Sequence, residues 1–176
     1  MNSLRSITAF AAAALLCMPA LAEDKMSNDE QSAMKQIAQA NINEVEAGKI
    51  ALAKAQSPDV KKFGAKMVQD HGKMLEDLKA LAKRKDVALP DKVAAKEFAQ
   101  TKLMERKSGA EFDKEFMEHM VKDHEKDLKD VQQIADKAKD PDFKAALQKA
   151  MPVIREHLRL AQRLAQGAAA GSSSKK

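Results

Sequence analysis

Apolar side chains recur at steps of three and four along four long stretches of the chain, the spacing of amphipathic helices that each bury one face. The first stretch aligns Met34, Ile37, Ala51, Leu52 and Ala55. The second aligns Val60, Phe63, Met67, Met74, Leu75, Leu78 and Leu81; the third, Phe112, Phe116, Met120, Leu128, Val131 and Ile134; the fourth, Leu147, Met151, Ile154, Leu158, Ala161 and Leu164. Ala, Lys, Leu, Glu, Gln and Met dominate and β-branched residues are few, which favours helix nearly throughout. Boundary signals divide the pattern. Ser27 with Glu30 reads as a capping box opening a helix that reaches about Gln56. Ser57 followed by Pro58 opens a second helix, to about Arg84, because a proline in the first turn gives up an N–H that has no partner there. A third runs from about Ala110 to Ala138, and Asp140 with Pro141 opens a last one that reaches about Leu164. A shorter helical piece, Lys92 to Arg106, lies between the second and third. The pattern predicts an all-α domain over residues 27–166: an antiparallel four-helix bundle with one extra short helix, then a flexible Gly/Ser tail over 167–176.

Each stripe is broken once near its middle by a group able to bind a metal: Glu44, His71, His124 and His157. Two of these histidines sit in one repeated frame, "MVQDHGKMLEDL" from Met67 and "MVKDHEKDLKDV" from Met120, which relates the second and third helices. If the four faces share one axis, three imidazoles and a carboxylate meet there, a donor set for one divalent ion such as zinc, iron, manganese or copper. Asn41 lies one turn before Glu44 on the same face, and Asp70 and Asp123 directly precede their histidines, at about 100° round the helix. From there these residues can orient rings on neighbouring helices. The alternative is structural, since a buried histidine that donates to a carboxylate or carbonyl fixes the register of a bundle without any ion. His119 falls off the stripe and receives no role.

The first residues change the picture of where such a bundle works. Arg5, an apolar run from Ile7 to Cys17 and the small-x-small triplet Ala20-Leu21-Ala22 read as a signal peptide over residues 1–22, cleaved after Ala22. The apolar run is too short to span a membrane, so no transmembrane segment is expected. The expected location is a bacterial periplasm. Cys17, the only cysteine, leaves with the leader, which excludes disulfides and thiolate chemistry in the mature chain. Arg5 is the only charge lost, taking the net charge from +5 to +4. Acids and bases alternate finely, as on solvated helix faces, and residues such as Glu46, Glu125 and Glu156 belong to them. There is no Trp or Tyr to stack on the bases of a single strand, so no nucleic-acid partner is expected; the lysines leave weak attraction to an anionic membrane surface open.

Other chemistry is scarce. No glycine-rich phosphate loop occurs, and Ser32, Ser57 and Ser108 have no histidine near them in sequence. Met67 and Met74 lie one turn either side of His71, and Met120 one turn before His124. Thioethers with imidazole suit cuprous copper, and methionine equally fills gaps in helical cores.

The segments "NINEVEAGKIAL", "SPDVKKFGAKMVQDHGKM", "FDKEFMEHMVKDHEKDL" and "MPVIREHLRLAQRL" resemble the bacterial exported family known as domain of unknown function 4142, from about Asp29 to Leu164. The resemblance implies a ferritin-like four-helix bundle. Ferritin-like di-iron centres use two Glu-x-x-His motifs, whereas Val68, Val121 and Ile154 stand three before the histidines here. A single-ion site fits better than a di-iron site. Two principal readings stand: a metal-binding bundle serving the envelope under metal or oxidative stress, and a non-catalytic, chaperone-like envelope interaction protein without metal. An enzyme with an open position on one ion is a third.

Overall fold

The computed structural model describes residues 25–94 and 106–173, with side chains as far as Gly167. Four helices account for the described secondary structure: α1 (Asn28–Lys54), α2 (Pro58–Arg84), α3 (Gly109–Lys137) and α4 (Pro141–Ser173). The starts of α1, α2 and α4 lie where the capping residues predicted. The Ser27 hydroxyl accepts from the Glu30 N–H while the Glu30 carboxylate accepts from the Ser27 N–H, closing the capping box. Ser57 accepts from Val60 N–H at the head of α2, and Asp140 Oδ1 from Phe143 N–H, at 2.9 Å, at the head of α4. α2 ends in a Schellman turn: Asp86 takes a left-handed φ of 54° and Val87 N–H reaches back to the Ala82 carbonyl.

The links between α1 and α2 and between α3 and α4 are a few residues long, so each pair forms a tight antiparallel hairpin. Within α1/α2 the backbones come close, because a Cβ on Gly48 would lie only 2.7 Å from the Gly64 carbonyl oxygen. The two hairpins meet along α2/α4 and, more sparsely, along α1/α3. Each lends a carboxylate to the other's turn. Asp113 of α3 accepts from the N–H groups of Gln56 and Ser57 (3.0 and 2.7 Å), and Glu30 of α1 accepts from those of Lys139 and Asp140 (both 2.8 Å). Glu30 and Asp113 are as far apart in the chain as Ser57 and Asp140, or Pro58 and Pro141; a pseudo-two-fold therefore relates the hairpins.

These contacts place the heads of α2 and α3 at one end of the bundle and their tails at the other, so the connection from Arg84 to Gly109 travels the bundle's length. It passes α1 at mid-height, where Gln39 donates to the Lys92 carbonyl and Asn43 Oδ1 accepts from Ala94 N–H. One long crossover makes every neighbouring pair antiparallel, the ferritin-like arrangement. The short helix expected over Lys92–Arg106 begins in residues that are not helical, 92–94, and the remainder, 95–105, lies outside the described residues, as does the signal peptide expected over 1–22. α4 runs past the end expected near Leu164 to Ser173: the Gln166–Ala170 stretch is rich in alanine, and glycine alone weakens a helix without stopping it. No described helix is long and apolar enough to cross a membrane.

The core is divided. One apolar cluster, around Met34, Leu78, Leu81, Val131, Phe143 and Leu147, fills the end near the α3–α4 turn. Another, around Phe63, Met67, Phe112, Phe116, Met117 and Ala161, fills the opposite end. Between them, at mid-height, lies a buried polar layer: Asn41, Glu44, His71, His124 and His157.

Candidate metal centre

A polar layer in a helical core is costly unless its groups find partners. His71, His124 and His157 are 3%, 0% and 0% exposed, one each from α2, α3 and α4. Their ring centroids are 5.1 to 5.6 Å apart in tilted and edge-on arrangements. One ligand-capable nitrogen from each lies within 4.8 Å of the other two. Phe63 walls the trio on one side, 6.2 Å from the His124 ring and 6.0 Å from that of His157.

The hydrogen bonds on the outer side of each ring fix its tautomer. Asn41 Nδ2 donates to the Ile37 carbonyl, which turns Asn41 Oδ1, an acceptor, toward His71 Nδ1 at 3.0 Å. His124 Nδ1 faces the Met120 carbonyl at 2.9 Å. His157 Nε2 faces Asp70 Oδ2 at 2.8 Å. All three partners are oxygens that only accept here, so each ring carries its proton outward. That leaves three bare nitrogens: Nε2 of His71, Nε2 of His124 and Nδ1 of His157. His71 Nε2 and His157 Nδ1 confront each other at 3.2 Å with a lone pair on each, and His124 Nε2 has no hydrogen-bond partner among the described residues. Two facing lone pairs repel unless a cation stands between them. Metal–nitrogen bonds of about 2.0–2.1 Å put ligand nitrogens roughly 3.3–3.6 Å apart in tetrahedral or trigonal geometry, close to the observed separation.

Electrostatics keep the rings neutral. Burial, then repulsion from His124 and His157, holds His71 well below the ordinary imidazole range. Burial and the His157 ring bring His124 down to about 4. Burial also lowers His157, against the opposite pull of Asp70. Burial pushes Asp70 up, but hydrogen bonds from Lys66 (2.7 Å) and His157 outweigh it, so the carboxylate stays ionised and anchors the His157 ring. A neutral imidazole with a lone pair is the form that binds metal.

Of the residues singled out from sequence, the structure brings together His71, His124 and His157, with Asn41 and Asp70 against two of the rings. Glu44 is in the same buried layer, 5% exposed, yet lies outside the trio; its Oε2 has no hydrogen-bond partner among the described residues. Burial first, then Asp127 and Asp123 of α3, raises its carboxyl well above the usual range. Asp123 turns along its own helix to His119 (2.8 Å) and not to a ring of the trio. Asp127, missed from sequence, is pushed up to about 6, chiefly by burial. The hairpin repeat points to it once the turn contacts are known: Asp127 follows Glu44 by the interval that separates Glu30 from Asp113.

The chain belongs to the family described as Domain of unknown function (DUF4142), which matches residues 16–164. No curated protein matches it. Among solved structures, a DUF305 fragment from Deinococcus radiodurans superposes with a TM-score of 0.71 at 11% identity, over 80% of this chain and 97% of that one. CopM in the Cu(II)-bound form does so with a TM-score of 0.67 at 14% identity, and in the Cu(I)-bound form with 0.66 at 15%, each over 78% of this chain and 96% of CopM. At these identities the likeness establishes the helical-bundle fold.

Proposed function

We propose that this member of the DUF4142 family binds one transition-metal ion, copper in preference to zinc, through His71, His124 and His157, as an exported bundle that limits metal stress in the cell envelope. The observation that carries the reading is the convergence of three buried imidazoles, with one ligand-capable nitrogen of each within 4.8 Å of the others and the acceptors Asn41 Oδ1, the Met120 carbonyl and Asp70 Oδ2 on their outer sides. A core without an ion would be better served by apolar side chains or by rings that donate to one another. An all-nitrogen, neutral donor set suits copper and zinc over manganese, calcium or magnesium. Its burial favours a monovalent ion, because the cost of desolvating charge rises with the square of the charge. The likeness to CopM, a protein seen in Cu(II)- and Cu(I)-bound forms, supports copper. The leader-like opening supports export.

Metal content of the full chain, produced without a histidine tag and dialysed against copper or zinc, tests the proposal. One ion per chain is expected, lost in His71→Ala and in His124→Ala and retained in Glu44→Gln. Equal metal content in the wild type and the histidine variants would overturn it.

A further inference from the structure

A trio of rings this deeply buried needs a way in, and two openings beside it share a boundary that includes one soft donor. A groove of about 430 Å³ runs between α2 and α4, and Asn41, Asp70 and Met74 are in its wall. A smaller cavity of about 60 Å³ touches His71 itself, again with Asn41 and Met74 in its wall. Ile37 and Ala150 also line both, so the two spaces share a boundary, and among the described residues His71 is the only member of the trio that lines either. Met74 is half-buried, three residues after His71 on the same face of α2. Among the described residues its thioether is the only sulfur in either lining.

The pseudo-two-fold makes the position more telling. The interval from Glu30 to Asp113 also separates Asn41 from His124 and Met74 from His157. Met74 therefore holds in α2 the place that the ring His157 holds in α4, an inward-facing place at the height of the trio. Asn41, the mate of His124, lies against His71 Nδ1. The positions that pair with His124 and His157 thus present an amide and a thioether on the side from which His71 is reached.

We infer that Met74 is an admission ligand: it takes a soft monovalent cation, Cu⁺ or its mimic Ag⁺, from the α2/α4 groove and passes it to His71. The inference rests on the proposed function of the trio and goes beyond it by assigning the route and the selectivity. A thioether binds soft cations and has little affinity for Zn²⁺, so it distinguishes ions by entry rate while the imidazoles determine final occupancy. Asn41 and Asp70 flank the route and hold the His71 and His157 rings, and neither supplies a soft donor.

The test compares the full wild-type chain with Met74→Leu, which keeps the apolar volume and removes the sulfur. Uptake of Ag⁺ and, separately, of Zn²⁺ by metal-free protein is followed by stopped-flow transfer from a coloured indicator chelator that changes absorbance on releasing the ion, with end-point metal content measured for both. The expected result is Ag⁺ loading slowed about tenfold or more in Met74→Leu, with Zn²⁺ loading and both end-points unchanged. Normal Zn²⁺ loading also shows that the variant is folded. Unchanged Ag⁺ loading would overturn the role of Met74 while leaving the trio intact. Equal slowing of both ions would overturn it too, by making residue 74 a steric plug. If the wild type takes up neither ion, the trio and the admission role both fail.

Discussion

Replacing His124 with leucine separates a metal centre from a structural histidine by the sign of its effect. His124 Nε2 is buried without a hydrogen-bond partner among the described residues, a condition that costs about 1–3 kcal/mol. Leucine has similar volume and removes that group. It also gives up the Nδ1–H bond to the Met120 carbonyl, about 0.5–1.5 kcal/mol, but that carbonyl keeps its ladder bond within α3. The difference leaves metal-free His124→Leu about 1 kcal/mol more stable than wild type, a rise in Tm of roughly 2–4 °C for a chain of this size. An ion held by the trio reverses the order, because a ligand at 1,000 times its Kd stabilises the wild type by about 4 kcal/mol. The assay is urea unfolding by circular dichroism, first in chelator and then with zinc in excess. If His124→Leu is the less stable protein in chelator and zinc leaves the wild type unmoved, the bare nitrogen is not a ligand in waiting and the reasoning fails.

Three further outcomes follow from the packing and the charges. Gly48→Ala gains about 1 kcal/mol of helix propensity but drives a methyl to 2.7 Å from the Gly64 carbonyl oxygen, an overpacking cost of about 1–3 kcal/mol; urea midpoints should show net destabilisation, and a rise would contradict the close α1/α2 crossing. Asp113→Ala leaves the Gln56 and Ser57 N–H groups without their carboxylate and should cost about 2–3 kcal/mol in the same assay, more than the exposed Lys62–Asp59 pair, whose loss should fall within about 1 kcal/mol. In chelator, the histidines' share of the stability should decline as pH falls from 6.5 toward 4, because the unfolded chain takes up protons that the buried rings refuse, while the raised carboxyls of Glu44 and Asp127 act in the opposite sense. The check is therefore the difference between wild type and His124→Leu: the wild type should lose about 3 kcal/mol relative to the variant across that window. Parallel profiles would mean that the His124 ring is protonated or exposed.

Most of the fold was legible because its boundaries are local chemistry. Ser27 with Glu30, Ser57 with Pro58 and Asp140 with Pro141 each announce a helix start within a few residues. The carboxylates that close each turn from the opposite hairpin, Glu30 and Asp113, were not legible, since a reading along the chain sees only near neighbours. The candidate site was half legible. Stripe spacing located His71, His124 and His157 on buried faces but could not fix the rotation of α1, and it is Asn41 that meets His71 there while Glu44 faces the acids of α3. The matching frames around His71 and His124 also misdirect. Asp70 crosses to His157 whereas Asp123 stays on its own helix with His119, so identical neighbours do different work. The repeat that organises the bundle relates α1–α2 to α3–α4, and it is visible only once the turn contacts are known.

The central claim, that three bare nitrogens point at one ion, is tested most directly by the ¹⁵N chemical shifts of the histidine rings before and after one equivalent of zinc. The expected pattern is protons retained on Nδ1 of His71 and His124 and on Nε2 of His157, with the three opposite nitrogens shifting together on metal addition. Ring protons found on those inward nitrogens, with shifts that ignore the metal, would contradict it.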